Sequence, residues 1–140
     1  MKYLYSLFVT ILTFITPLFS QNINEFAIPT EKVERMQWWS EARFGMFIHW
    51  GLYALPARHE WVMSNEQISK KDYKKYVEFF NPDLYDPSEW ASLAKKAGMK
   101  YVVFTAKHHD GFSMYDTNYS DYKVTNAPIG KDLLKELIEA

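Results

Sequence analysis

Three short clusters hold most of the side chains able to bind ligands or move protons: His49-Trp50, His59-Glu60-Trp61 and His108-His109-Asp110. Together they contain all 4 histidines of the chain. An imidazole can ligate a metal, exchange a proton near neutral pH, or donate and accept hydrogen bonds through its two ring nitrogens. Metal binding needs ligands that converge on one point. Neighbouring side chains on a strand point to opposite faces, so His108 and His109 would not share an ion there. The chain also lacks the HxH and HExxH spacings of common zinc sites, and no metal or other cofactor is expected. Sugar binding fits the residue types better. Hydroxyl-rich ligands need neutral donor–acceptors beside flat apolar walls, and His, Glu and Trp together supply both. Trp61 and Trp50 are the candidate walls for sugar C–H faces. A histidine satisfied by backbone, with tryptophan in the core, stays open as a reading for His49 and is less apt for the double histidine.

The composition is that of a globular protein, with 24% charged residues and a net charge of −1 that supplies no basic stripe for nucleic acid. Aromatic residues make up 18% of the chain, which suits a dense core or a carbohydrate site. The absence of cysteine excludes disulfide scaffolds, thiolate metal sites and a cysteine nucleophile. The N-terminus differs from the rest. Lys2 precedes "YLYSLFVTILTFITPLFS", and no further charge occurs until Glu25. This pattern predicts a signal peptide over residues 1–20, cleaved near Ser20, and a secreted or periplasmic product without stable membrane insertion. A membrane anchor is the alternative, because the uncharged run approaches spanning length.

The elements that must position the clusters follow from periodicity and caps. A helix is predicted from Thr30 with Val33, Met36 and Trp39 on its buried side. "FGMFIHWG" reads as a buried strand ending at Gly51, and "LYALPARHEWVMSNEQ" as a long loop. Ser69 caps a helix carrying Tyr73, Tyr76, Val77 and Phe80 on one face, which Asn81-Pro82 stops. A further helix starts at Asp86, with Pro87 as its first residue and Glu89 as capping-box partner, and Gly98 closes it. Its apolar stripe is Trp90, Leu93, Ala94 and Ala97. "KYVVFTAKHH" predicts a second strand, followed by a loop from Asp110 to Gly130 and a helix capped by Asp132.

Apolar strands alternating with amphipathic helices indicate an α/β fold of parallel β/α units. Two parallel strands alone leave open edges and an uncovered face. The expectation is therefore that residues 21–140 form the first quarter of a larger β/α domain, incomplete in this chain. In β/α barrels the C-terminal ends of the strands converge on one rim, which would bring His49, the Glu60-Trp61 loop and His108-His109 together.

"WWSEARFGMFIHWGLYALPA", the later "EW", and "FNPDLYDPSEWASLAKKAGMKYVVFTAKHHDGFSMYDTNYSDYKV" resemble the N-terminal part of the α-L-fucosidases of glycoside hydrolase family 29. The similarity runs from about Trp38 to Asp132. The resemblance implies a retaining exo-glycosidase that removes terminal L-fucose from fucosylated glycans or oligosaccharides, with an α/β catalytic domain of (β/α)8-like (TIM) barrel type, of which residues 21–140 would be the N-terminal portion. It assigns fucose contacts to His49, Glu60, Trp61, His108 and His109, and an auxiliary acid–base part to Glu60 in some members. It also implies that no catalytic pair lies in this segment. A retaining glycosidase needs two carboxylates about 5 Å apart, and the family's nucleophile and main acid/base would fall beyond Ala140. Asp110 reads as a residue that orders the turn before Gly111. The runner-up is a secreted fucose-binding fragment without hydrolytic activity, followed by a metal-dependent hydrolase.

Overall fold

The computed structural model describes residues 28–140. The predicted signal segment, residues 1–20, lies outside the described residues. The chain divides into two compact units, Met1–Glu41 and Ala42–Ala140.

In the first unit, helix α1 (Thr30–Ala42, its last residue entering the second unit) begins at the predicted residue. Its supposed inner side is not buried: Val33 is 52% exposed, Trp39 40%, and no residue of the helix is buried. The apolar positions are too few and too scattered to form a continuous stripe, which weakens the drive to bury one face. Trp38 and Trp39 pack edge to face, with centroids 5.7 Å apart.

The second unit is a mixed α/β structure around a two-stranded parallel sheet. Strands β1 (Met46–Ile48) and β2 (Val102–Phe104) pair in the register Met46↔Val102, Phe47↔Val103 and Ile48↔Phe104. Both are shorter than the apolar runs that predicted them. They are also not fully buried, since Phe47 is 66% and Val102 40% exposed.

Between the strands run α2 (Val62–Asn65), α3 (Lys70–Tyr73) and α4 (Pro87–Lys96). The loop predicted before Ser69 thus contains a short helix, α2, preceded by a 3-10 turn over Leu52–Ala54. Ser69 caps α3 by accepting from the Asp72 N–H at 3.1 Å. The chain then tightens into a 3-10 helix, Lys74–Phe79, so the predicted single helix is two elements. Tyr73 and Phe80 are still both buried.

Helix α4 follows its local signals. Asp86 accepts from the Glu89 N–H at 2.9 Å, with Pro87 in the first turn. The helix ends in a Schellman turn: Met99 N–H reaches Ala94 O and Gly98 N–H reaches Lys95 O, both at 3.0 Å. That turn puts Gly98 at φ 84°, where a side chain is disfavoured. The stripe is only partly covered, for Ala94 is buried while Leu93 and Ala97 are exposed.

Helix α5 (Leu133–Glu139) is capped by Asp132, which accepts from the Lys135 N–H at 2.8 Å. Tyr85 ties the region before α4 to it by donating to Leu133 O at 2.7 Å. Burial and the nearby Glu136 and Asp132 push the Tyr85 phenol up to about 12, so it remains a donor.

The core sits in the excursions beyond the strands. Leu52, Val62, Tyr73, Met114, Val124 and Leu133 are each at most 1% exposed. The segment after β2 is folded onto it by Met114 N–H to Ala106 O (2.9 Å) and Val124 N–H to Ser113 O (2.8 Å).

Candidate functional site

β1 ends at Ile48, so His49 is the first side chain beyond it. Thr105 follows β2, and its N–H and Oγ1 both donate to Ile48 O at 3.1 Å, locking the two strand ends together. Gly111 N–H bonds His108 O at 3.0 Å, and Gly111 sits at φ 84°, so the chain reverses here. Asp110 orders this turn from a buried position, its Oδ1 accepting from the Phe112 N–H at 3.0 Å.

His108 and His109 therefore lie on a turn, not on a strand, and their rings converge. Their Nδ1 atoms are 2.7 Å apart. This corrects the expectation that neighbouring positions would aim them at opposite faces. Two Nδ1 atoms at that distance require one donor and one acceptor, so a single proton lies between the rings. The other nitrogen of His109, Nε2, is buried without a hydrogen-bond partner.

The ring of His108 is the hub of the cluster. Its centroid lies 5.1 Å from His49, 5.0 Å from Tyr53, 5.4 Å from Trp61 and 4.8 Å from His109. Trp61 stacks on His109 at 4.2 Å and 22°, and stays 47% exposed. Desolvation lowers the His108 pKa below the ordinary 6.5, helped by His109 and His49 and opposed by Asp110 and Glu60. The hub is thus held neutral, able to donate from one nitrogen and accept at the other. Glu60 sits half-buried in the turn before α2, near enough for its charge to act on both His108 and Tyr53.

Four of the residues assigned to fucose in the sequence meet here, His49, Trp61, His108 and His109, and the charge of Glu60 reaches His108. One other expectation fails. Trp50 is no wall of this site, because its ring packs against Phe80, Tyr85, Trp90 and Phe104 at 5.4–6.4 Å, on the core side. His59 is exposed and contributes no ring contact to the cluster. Among the described residues, no group of three or more His, Asp or Glu side chains could hold a metal ion.

Sequence reasoning missed Tyr53. The 3-10 turn after Gly51 brings it back beneath His49, with Tyr53 Oη 3.1 Å from His49 Nδ1. Burial raises the Tyr53 pKa, so the phenol keeps its proton. The available signal was the i, i+4 spacing of His49 and Tyr53 across a glycine.

The arrangement is an aromatic-walled group of imidazoles beside one carboxylate at the C-terminal ends of parallel strands. Comparison with known proteins places the chain in a family. A family model described as Alpha-L-fucosidase matches residues 17–140. The tissue alpha-L-fucosidase of Rattus norvegicus is 38% identical over 119 residues, covering 72% of this chain and 26% of that protein. Alpha-L-fucosidase isoenzyme 1 from Paenibacillus thiaminolyticus superposes with a TM-score of 0.76 and 57% identity, over 79% of this chain and 26% of that one. A GH29 alpha-L-fucosidase from Bacteroides thetaiotaomicron, solved as a trapped covalent intermediate with 2-fluoro-fucosyl fluoride, gives 0.74 and 38%, over 76% and 27%. The chain spans about a quarter of the length of the curated relatives it matches. By sequence and by fold, it belongs to the α-L-fucosidase family.

Proposed function

We propose that this chain supplies the fucose-binding rim of a retaining exo-glycosidase that removes terminal α-L-fucose from glycoconjugates or oligosaccharides. The observation that carries this reading is the convergence of His49, Glu60, Trp61, His108 and His109 at the adjoining ends of β1 and β2. Imidazoles and a carboxylate offer donors and acceptors to sugar hydroxyls, while Trp61 offers a face to the sugar's C–H surface. The buried Nε2 of His109 supports the same reading, since an unpaired buried polar atom is stabilised by gaining a partner.

The catalytic pair is proposed to come from residues following Ala140, with Glu60 as an auxiliary group. Asp110 is not assigned as nucleophile, because one oxygen is bound to the Phe112 N–H and the residue is 5% exposed. The half-covered strands, with Phe47 66% exposed, are consistent with further β/α units completing a (β/α)8-like barrel. Export through the N-terminal apolar segment to the periplasm or medium is part of the same proposal.

The test is hydrolysis of an aryl α-L-fucoside by the complete gene product, followed by proton NMR. Release of α-L-fucose with retained anomeric configuration is expected. Absence of release together with absence of L-fucose binding would overturn the reading.

A further inference from the structure

Glu60 and Trp61 sit on a loop with an unusual base. Arg58 Nη2 donates to Glu66 Oε2 at 2.7 Å and Arg58 Nε to Glu66 Oε1, a bidentate pair closing the segment from Arg58 to Glu66. Immediately outside the pair stand two non-glycine residues in the left-handed region, Ala57 at φ 54° and Gln67 at φ 52°. Gln67 owes this to a Schellman turn at the end of α2, where Ile68 N–H reaches Met63 O (2.9 Å) and its own N–H reaches Ser64 O (3.1 Å). That turn fixes the backbone carrying Glu66. Within the loop, Val62 is fully buried and its N–H bonds His59 O at 3.2 Å. The loop is thus anchored once in the core and once by the ion pair, with Glu60 and Trp61 between the anchors.

We infer that the Arg58–Glu66 pair positions the sugar-binding rim: it closes the loop base and so holds Trp61 on His109 and Glu60 toward His108. This rests on the fucose reading above, and neither residue belongs to the ring cluster itself. Bidentate guanidinium–carboxylate geometry is the case in which an exposed ion pair has a measurable effect. Both side chains are more than a third exposed, at 48% and 38%, so substituting them leaves the core intact.

The experiment compares the complete gene product with its Glu66→Gln variant and with the charge-reversed double variant Arg58→Glu/Glu66→Arg. Amide hydrogen exchange across residues 59–66 and the Kd for L-fucose are both measured. Glu66→Gln is expected to speed exchange and raise Kd by about fivefold each, with the reversed pair returning both to within about twofold. Unchanged exchange in Glu66→Gln would overturn the proposal, as would faster exchange with an unchanged Kd. If the wild-type protein takes no L-fucose, the fucose reading fails. The clamp is then decided by exchange alone, holding if Glu66→Gln speeds it and failing if it does not.

Discussion

Phe47, at the centre of β1, is 66% exposed, whereas Phe112, in the loop beyond β2, is 2% exposed. The two strands of the second unit are poorly covered, and the excursions from their ends, short helices and loops together, hold its core. Such excursions need that core, because loop backbone stays in one conformation only when side chains beneath it are packed. The histidine cluster rests directly on it. Tyr53 belongs both to the core and to the site, as does Asp110, buried in the turn that aims His108 and His109. Burial here follows the site rather than the sheet.

Substitution of the two phenylalanines tests that contrast most strongly. Phe112→Ala should destabilise the second unit by about 3–5 kcal/mol in denaturant unfolding, because it opens a cavity under the site. In residues 1–140 taken alone, Phe47→Ala should change stability by no more than about 0.5 kcal/mol, as for an exposed position. Equal losses for the two there would show that the strands are covered within this chain.

His108→Ala should separate binding from folding. The side chain is only partly buried, so the unfolding midpoint should fall slightly while the Kd for L-fucose rises about tenfold, equivalent to about 1.4 kcal/mol. Tyr53→Phe is expected to be milder in binding and visible in stability. It removes one hydrogen bond to His49, worth about 1 kcal/mol, without changing the packing of the ring.

Acid should act through His108. Its pKa is depressed in the folded protein, so on acidification the unfolded chain takes up the proton first. The His108 contribution to stability is therefore level above the ordinary histidine value of 6.5, falls as pH drops below it, and levels off below the folded pKa. L-fucose affinity should persist below pH 6.5 for the same reason, because the hub stays neutral there. Isothermal titration across that window would show it. A loss of affinity centred at or above 6.5 would contradict the depressed value.

Much of this was legible in the sequence where the physics is local. Asp86, Pro87 and Gly98 mark the ends of α4 because caps act within one turn, and Asp132 marks the start of α5 in the same way. Helix α2 was not legible: Trp61 occupies its N-cap without a side-chain bond, and the helix is one turn held by burial of Val62. The amphipathic assignment of Leu93 failed because period alone does not say whether a partner covers the face. That the site residues lie near one another was readable, since strand order brings them to one end. The inner geometry of the site was not. The meeting of two Nδ1 atoms, the stacking of Trp61 on His109, and the return of Tyr53 under His49 all depend on tight turns whose effect is three-dimensional.

The most direct test of the central claim is histidine NMR during titration of the complete gene product with L-fucose, with resonances assigned by substitution. The Cε1–H signals of His49 and His108 should shift saturably with one common Kd, while His59, exposed and outside the cluster, stays fixed. L-fucose that leaves His49 and His108 unmoved, or that moves His59 equally, would contradict the assignment of this rim as the sugar site.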